Sequence, residues 1–346
     1  MRYYRGLVLK TVYRWWLAVI LKPGGGGRPI SVIVPVYNHY EYLSACLDSV
    51  LSQKNAPVYE LIVINDASPD KRVDGLLKKY ARQHPETITY ISHGQNQGIA
   101  KTQNEAIAAA RFDYIAFLDC DDYLNDNALA VAGRFLRRYP GRDYYFSDRF
   151  LVDGQNRLIR KTIYGDRPDL ISFSSRGHAF NLYYATVASH LKVIKKSAII
   201  DAGMFATDAT SGAQDYDLAL RIADHGSFMY MPYDLYVHRF HQNSVTASQA
   251  SQQVVRAATV LRKTLVRRFG QRRPELDPAE VKQGCPVKKL VELWQSQKND
   301  IRCEVNAGNL YWFVERSAFV SRVKISKEAR GKIDSEFPGL IEALGL

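Results

Sequence analysis

Phe117-Leu118-Asp119-Cys120-Asp121-Asp122-Tyr123-Leu124 decides how this chain is read. Its acids follow directly on the apolar run Tyr114-Ile115-Ala116-Phe117-Leu118, which has the composition of a buried strand, so they fall where the strand ends. In an extended chain residues i and i+2 share a face, so Asp119 and Asp121 point together and Cys120 points away. Two hard oxygen donors on one face suit Mg²⁺ or Mn²⁺, which take a few carboxylates and keep positions open for substrate phosphates. The alternative is that the acids cap a helix starting near Asn125. That suits Asp122 best, because crowding three like charges without a cation costs energy.

The residues upstream give the fold class. Ile30 to Asn38 is a β-rich run that ends in turn chemistry, and Glu41 to Gln53 carries apolar residues at helical spacing. Glu60 to Asn65 is a second buried strand, Gly75 to His84 a helix, Thr87 to Ile91 a third strand, and Ile99 to Ala110 a helix leading to the strand at Tyr114. This alternation predicts an α/β fold with a doubly wound, mostly parallel sheet. Such sheets bind ligands beyond the carboxyl ends of their strands, where Asn38, Asp66 and Asp119 stand. Asp66 reads as a ribose or base contact, or as an Asx-turn with Ser68-Pro69. Asn96-Gln97-Gly98 opens the helix bearing Lys101, a helix start able to face phosphate, with Lys101 as a solvated surface charge in the alternative. There is no G-x-G-x-x-G and no G-K-[ST] loop, which argues against a dinucleotide dehydrogenase and a P-loop enzyme.

Downstream the alternation stops. Tyr144 to Val152 and Arg157 to Ile163 flank Asp153-Gly154 as a hairpin. Gln214-Asp215-Tyr216-Asp217 reads as a helix entrance, with Asp215 either an N-cap or a base and Asp217 complementing the helix dipole. His238, Arg239 and His241 end a strand-like segment and suit a metal or a diphosphate.

Net charge is +12 over 346 residues, with 46% hydrophobic content, so the chain has material for a real core and favours anionic partners. The cysteines Cys46, Cys120, Cys285 and Cys303 are scattered, implying neither a zinc site nor a disulfide framework and fitting a reducing compartment. Residues 1–29 form a basic, aromatic segment ending in the flexible joint Gly24 to Gly27. Its apolar run from Trp15 to Leu21 is far short of the roughly 20 residues a bilayer span needs. Trp15-Trp16 among basic residues reads as a segment lying in a membrane interface, or as a helix packed on the main domain. Residues 249–346 read as a helical extension. Its first part is basic and amphipathic, with Arg256, Lys263 and Arg267 on one face, suited to anionic lipid or to solvent. Its remainder carries no evident chemistry and serves packing or self-association.

Taken together, Val34-Pro35-Val36-Tyr37-Asn38, Asn65-Asp66-Ala67-Ser68, Asn96-Gln97-Gly98-Ile99-Ala100, Asp119-Cys120-Asp121-Asp122, Gln214-Asp215-Tyr216-Asp217-Leu218 and Arg239-Phe240-His241-Gln242-Asn243-Ser244 occur in the order of a known family. Over residues 30–248 the chain resembles the glycosyltransferase family 2 catalytic domain of GT-A type. The resemblance implies a Rossmann-like nucleotide-binding half and a nucleotide-sugar donor. By that implication Pro35, Tyr37 and Asp66 line the base and ribose pocket, with Asn38, Asn96, Gly98, Lys101, Asp119 and Arg239 also on the donor. Asp119 and Asp121 serve the D-x-D function, Asp121 as the direct ligand of Mn²⁺ or Mg²⁺. His241 touches the metal or diphosphate, and Asp215 falls at the general base. Two departures stand out: Gln214 where Glu is common, and Lys101 where many members have Arg, which alters phosphate geometry while keeping the charge.

The implied reaction is an inverting transfer from a nucleotide sugar, expected to be a UDP-sugar, to a glycan or lipid-linked acceptor at the cytoplasmic membrane face. The rivals are a sugar-phosphate nucleotidyltransferase and a non-catalytic, membrane-docked nucleotide-sugar-binding module. Nucleic acid is disfavoured because the basic residues gather toward the two termini, outside the site.

Overall fold

The computed structural model describes residues 26–162, 190–207 and 213–241, with isolated positions between 256 and 335. The N-terminal basic segment, Gln242 to Ser244 and nearly all of the C-terminal extension lie outside those residues. The elements are β1 (Ile30–Val36), α1 (Tyr40–Leu51), β2 (Tyr59–Asn65), α2 (Lys71–Gln83), β3 (Ile88–Ser92), α3 (Ile99–Ala109), β4 (Tyr114–Phe117) and β5 (Tyr123–Leu124). They continue with α4 (Ala128–Arg138), β6 (Tyr144–Asp153), β7 (Leu158–Thr162), β8 (Lys192–Lys195), α5 (Lys196–Asp201), α6 (Gln214–Ile222) and β9 (Phe228–Phe240).

Among the described residues one sheet runs β3-β2-β1-β4-β8-β6-β9-β5, with β7 paired to β6. The first four strands are parallel, as the alternation predicts. Beyond β4 the sheet is mixed: β8 lies antiparallel between β4 and β6, β6 runs parallel to β9, and β5 and β7 pair antiparallel with β9 and β6. The irregular half therefore extends the same sheet.

The central strands are apolar at nearly every position because both faces are covered. Ile33, Ile62, Ile115 and Phe117 face one layer with Ala106 and Ile107 of α3 and Leu218 of α6. Val32, Val34, Leu61, Val63 and Ala116 face the other, with Leu43 and Leu47 of α1 and Phe135 of α4. That alternation is the period-2 pleat of each strand set between two helical layers.

Three features of this frame position the site. The order β2-β1-β4 makes a switch point at β1, where a crevice opens beyond the strand ends. The β4–β8 register places Lys192 opposite Phe117, two residues before Asp119. The long strand β9 then carries Tyr236 to Phe240 back to the carboxylate turn, with Val237 opposite Tyr123. No helix among the described residues is long and apolar enough to cross a membrane. In the basic segment beyond the domain, Val260 and Thr264 are buried, and Arg267 pairs with Asp224 at 2.8 Å.

Candidate active site

The expectation of an extended D-x-D is corrected. The Asp122 amide donates to the Asp119 carbonyl at 3.1 Å, so the chain turns directly after β4. A turn separates the carboxylates, and each meets a different set of partners. Asp121 accepts from His241 Nε2 at 3.0 Å. Asp122, with no exposure, accepts from Tyr236 Oη at 2.7 Å, His238 Nδ1 at 3.1 Å and the Arg239 amide at 2.7 Å. It is the buried anchor that ties β9 to the turn, not a helix cap, since α4 begins only at Ala128. Tyr236 Oη also accepts from the Asp119 amide at 3.2 Å, so one phenol holds both ends of the turn.

Asp119 faces a different neighbourhood. Burial, opposed by Lys192 and helped by the charges of Asp122, Asp121 and Asp215, pushes its carboxyl up to about 7. Lys192 is buried and donates to Asp215 Oδ2 at 2.9 Å. Burial alone would lower the Lys192 ammonium, but the charges of Asp215 and Asp119 outweigh it and raise it. Burial would likewise raise Asp215, but the charge and hydrogen bond of Lys192 outweigh it and hold the carboxyl below its usual range. Asp215 stands in the first turn of α6, where its Oδ1 accepts the Tyr216 amide at 3.0 Å. This is carboxylate ionisation by an adjacent cation. Asp217 is given over to structure: it pairs with Arg221 at 2.7 Å, and Arg221 bonds the Ala202 and Met204 carbonyls, tying α6 to the end of α5.

Arg239 differs from the donor-binding expectation. Only 2% exposed, it donates through Nη1 to the Asp121 carbonyl at 2.8 Å and through Nη2 to Asn156 Oδ1 at 3.0 Å. Its guanidinium lies 4.3 Å from the Tyr42 ring centroid and 5.3 Å from that of Tyr123. A cation so enclosed braces the carboxylate turn from behind. His241 packs against Tyr42, with ring centroids 4.8 Å apart, and against His39 at 5.1 Å. Asp121, His241 and His39 each offer a ligand atom within 4.8 Å of the others, one carboxylate and two imidazoles. This donor set fits a divalent cation. Asp119 is not part of it.

At the other end of the crevice Asp66 organises a loop. Its oxygens accept from the Gln97 amide at 2.8 Å, the Gly98 amide at 2.9 Å and His93 Nδ1 at 2.7 Å, while its carbonyl accepts from Asn96 Nδ2 at 3.2 Å. A buried carboxylate with this many donors shapes the pocket wall; direct base contact needs one of these bonds to be shared. Gly98 sits at φ 85°, a left-handed value that lets its amide turn toward Asp66. Asn38 and His39 are also left-handed, at φ 64° and 57°, and the Asn38 amide donates to Ser68 Oγ at 2.9 Å. Pro35 is part-buried at the end of β1, and Tyr37 just beyond it is 46% exposed. Lys101 is exposed in the first turn of α3.

Sequence reading missed Lys192, His39, Tyr236 and His93. Lys192 reads as a surface charge beside Lys195 and Lys196; its one signal is that it interrupts the apolar run Leu191 to Ile194, a strand buried on both faces. His93 bridges Asp66 and Glu105, at 2.7 and 2.8 Å, across a loop no local pattern marks.

Comparison with known proteins bears on the fold and the family. S. aureus TarS residues 1–349 in complex with UDP-GlcNAc superposes with a TM-score of 0.58 at 18% identity, covering 91% of each chain. The mannosyltransferase PcManGT from Pyrobaculum calidifontis, in complex with GDP-Man and Mn²⁺, gives 0.51 at 18% identity, covering 99% of this chain and 94% of that one. At those identities the likeness speaks for the fold, a GT-A fold. In sequence, the poly(ribitol-phosphate) beta-glucosyltransferase of Bacillus spizizenii is 35% identical over 101 residues, 29% of this chain. The aligned stretches cover 20%, 16% and 27% of the first curated relatives the chain matches. Residues 31–200 match the model of Glycosyl transferase family 2. That match runs from β1 through the carboxylate turn and Lys192 to α5, and residues 31–200 belong to Glycosyl transferase family 2.

Proposed function

We propose that the chain moves a sugar, with inversion, from a UDP-sugar to a hydroxyl of a glycan or lipid-linked acceptor. The observation that carries this reading is Asp215, kept ionised by buried Lys192 and coupled through it to Asp119 of the carboxylate turn. Asp215 accepts the acceptor's hydroxyl proton as that oxygen bonds the anomeric carbon. The bond from that carbon to the diphosphate breaks, and the nucleoside diphosphate leaves with the electron pair. Asp121 and His241 would hold a Mn²⁺ or Mg²⁺, which supplies positive charge for the diphosphate. Tyr37 offers its exposed ring to the base, Pro35 and Asn38 line the wall beside it, and the Asn96–Gly98 loop held by Asp66 closes the pocket. Arg239, Tyr236 and Asp122 keep the turn in place.

The UDP-GlcNAc complex of TarS supports a uridine donor class, and the Mn²⁺ complex of PcManGT supports a divalent metal. A nucleotidyltransferase role is set aside by the family match. The +12 net charge supports work at an anionic membrane surface, on its cytoplasmic face, with residues 30–248 as the catalytic unit. The test is a donor panel: UDP-, GDP- and dTDP-sugars with Mn²⁺, Mg²⁺ or EDTA, following nucleoside diphosphate release with and without glycan acceptor. Metal-dependent release from a UDP-sugar is expected. Asp215→Asn should abolish transfer while leaving UDP binding intact; retention of most of the rate would remove Asp215 from the base role.

A further inference from the structure

We infer that His39 is a third protein ligand of the metal and sets its identity, making this a two-imidazole, one-carboxylate site that prefers Mn²⁺ over Mg²⁺. The inference rests on the metal-dependent reading above and adds a residue and a selectivity to it.

The geometry comes first. His39, Asp121 and His241 present ligand atoms that all lie within 4.8 Å of one another. Around a cation with bonds of about 2.1 Å, neighbouring donors stand about 3 Å apart and opposite donors about 4.2 Å. The Asp121–His241 pair, at 3.0 Å, already has the neighbouring spacing. His39 needs only side-chain adjustment to complete the set. Its backbone forms a tight turn: Asn38 and His39 are both left-handed, a conformation Asn and His adopt more readily than most side-chain-bearing residues. The strand end at Val36 and the Asn38–Ser68 hydrogen bond hold that turn and aim His39 across the crevice at β9. The His39 and His241 rings meet edge to face, and Tyr42 packs against both, so their orientations are set before an ion arrives.

The surroundings single out this cluster. A second group among the described residues, Asp122 with His190 and His238, also has ligand spacing. There Asp122 already accepts three donors, and Arg149 Nη1 sits 2.5 Å from His190 Nδ1, a cation where an ion would have to go. At Asp121 the nearby cation, Arg239, bonds the backbone carbonyl and leaves the carboxylate to His241.

The donor set then decides the ion. Mg²⁺ favours oxygen and keeps several waters, whereas imidazole suits later first-row ions, and Mn²⁺ accepts a mixed set. Two imidazoles beside one carboxylate shift preference away from Mg²⁺ while leaving positions for diphosphate oxygens.

The experiment is calorimetric titration of the EDTA-treated full chain with MnCl₂ and MgCl₂, alone and with UDP, plus pulsed EPR counting imidazole nitrogens on bound Mn²⁺. His39→Asn is the main variant, because Asn tolerates left-handed backbone and so preserves the fold; an unchanged melting curve verifies that. His39→Asp restores a ligand, but an oxygen one. The wild type should bind Mn²⁺ more tightly than Mg²⁺ and show two imidazoles. His39→Asn should lose at least about tenfold in Mn²⁺ affinity and show one. His39→Asp should recover binding with a narrower Mn²⁺ preference. Unchanged Mn²⁺ affinity and nitrogen count in His39→Asn would overturn the role of His39 while leaving the metal reading standing. A wild-type chain that binds neither ion, with or without UDP, would overturn both.

Discussion

Lys192 is the residue whose removal tests the site most directly. Lys192→Met keeps the length of the stem and deletes the charge between Asp215 and Asp119. Removing one partner of a fully buried pair costs about 3–5 kcal/mol, because the remaining charge is stranded. The Asp215 side chain is 38% exposed, so water screens part of that cost. A loss of about 1–3 kcal/mol follows. At about 2–3 °C per kcal/mol for a chain of this size, the melting temperature should fall by about 2–9 °C at pH 7.5. The sign with pH is fixed by direction. Asp215 is held below its usual range, so its pairing stabilises above the unfolded carboxylate value near 4 and fades as pH falls through the lower folded value. Lys192 is raised, so its contribution persists up to the unfolded lysine value near 10.4 and fades only as pH climbs through the folded one. Melting curves of wild type and variant should therefore diverge between about pH 5 and 9 and converge in acid. Adding Asp215→Asn to Lys192→Met removes the stranded charge and should return much of the loss. A variant melting within 1 °C of wild type at about pH 7.5, with no recovery in the double variant, would refute the ion pair as the electrostatic centre of the site.

Asp122→Ala leaves Tyr236 Oη, His238 and the Arg239 amide without their acceptor and should destabilise by about 3 kcal/mol or more, read by urea unfolding. A loss under about 1 kcal/mol would show that Asp122 is not the anchor of β9. His93 is buried, which lowers it, but Asp66 and Glu105 outweigh that and raise it, so its stabilisation is full below pH 6.5 and fades as pH rises through the higher folded value. His93→Gln should accordingly cost about 1–2 kcal/mol at pH 6 and progressively less toward pH 9, and a pH-independent difference in melting temperature would contradict this. Asp121→Asn should weaken metal-dependent UDP-sugar binding by at least about tenfold while binding in EDTA stays unchanged. Equal affinities with metal present would take Asp121 out of the ligand set.

Much of the first half was legible from local pattern. Buried parallel strands between helices announce themselves as apolar runs alternating with amphipathic segments, and turn residues mark the strand ends. Asn38, Asp66 and Asp119 stand at those ends in the structure as the pattern implied. The roles of individual side chains were less legible. Arg239 looks in sequence like a phosphate ligand, but burial against Tyr42 and Tyr123 makes it a brace. Asp66 looks like a base contact, but the long-range amides of Gln97 and Gly98 claim its oxygens.

By itself the amino-acid order determined the α/β class, the crevice at the strand ends and the family, because periodicity, turn chemistry and motif order are local properties of the chain. Only the tertiary structure decided which groups meet. The turn at Asp119–Asp122 separates Asp119 from Asp121, which an extended strand would have aligned. The antiparallel insertion of β8 brings Lys192 to Asp215 and Asp119, and the return of β9 brings His241 to Asp121 and His39. Those contacts join residues far apart in sequence, and their electrostatics depend on burial and distance, which exist only once the sheet has closed over them.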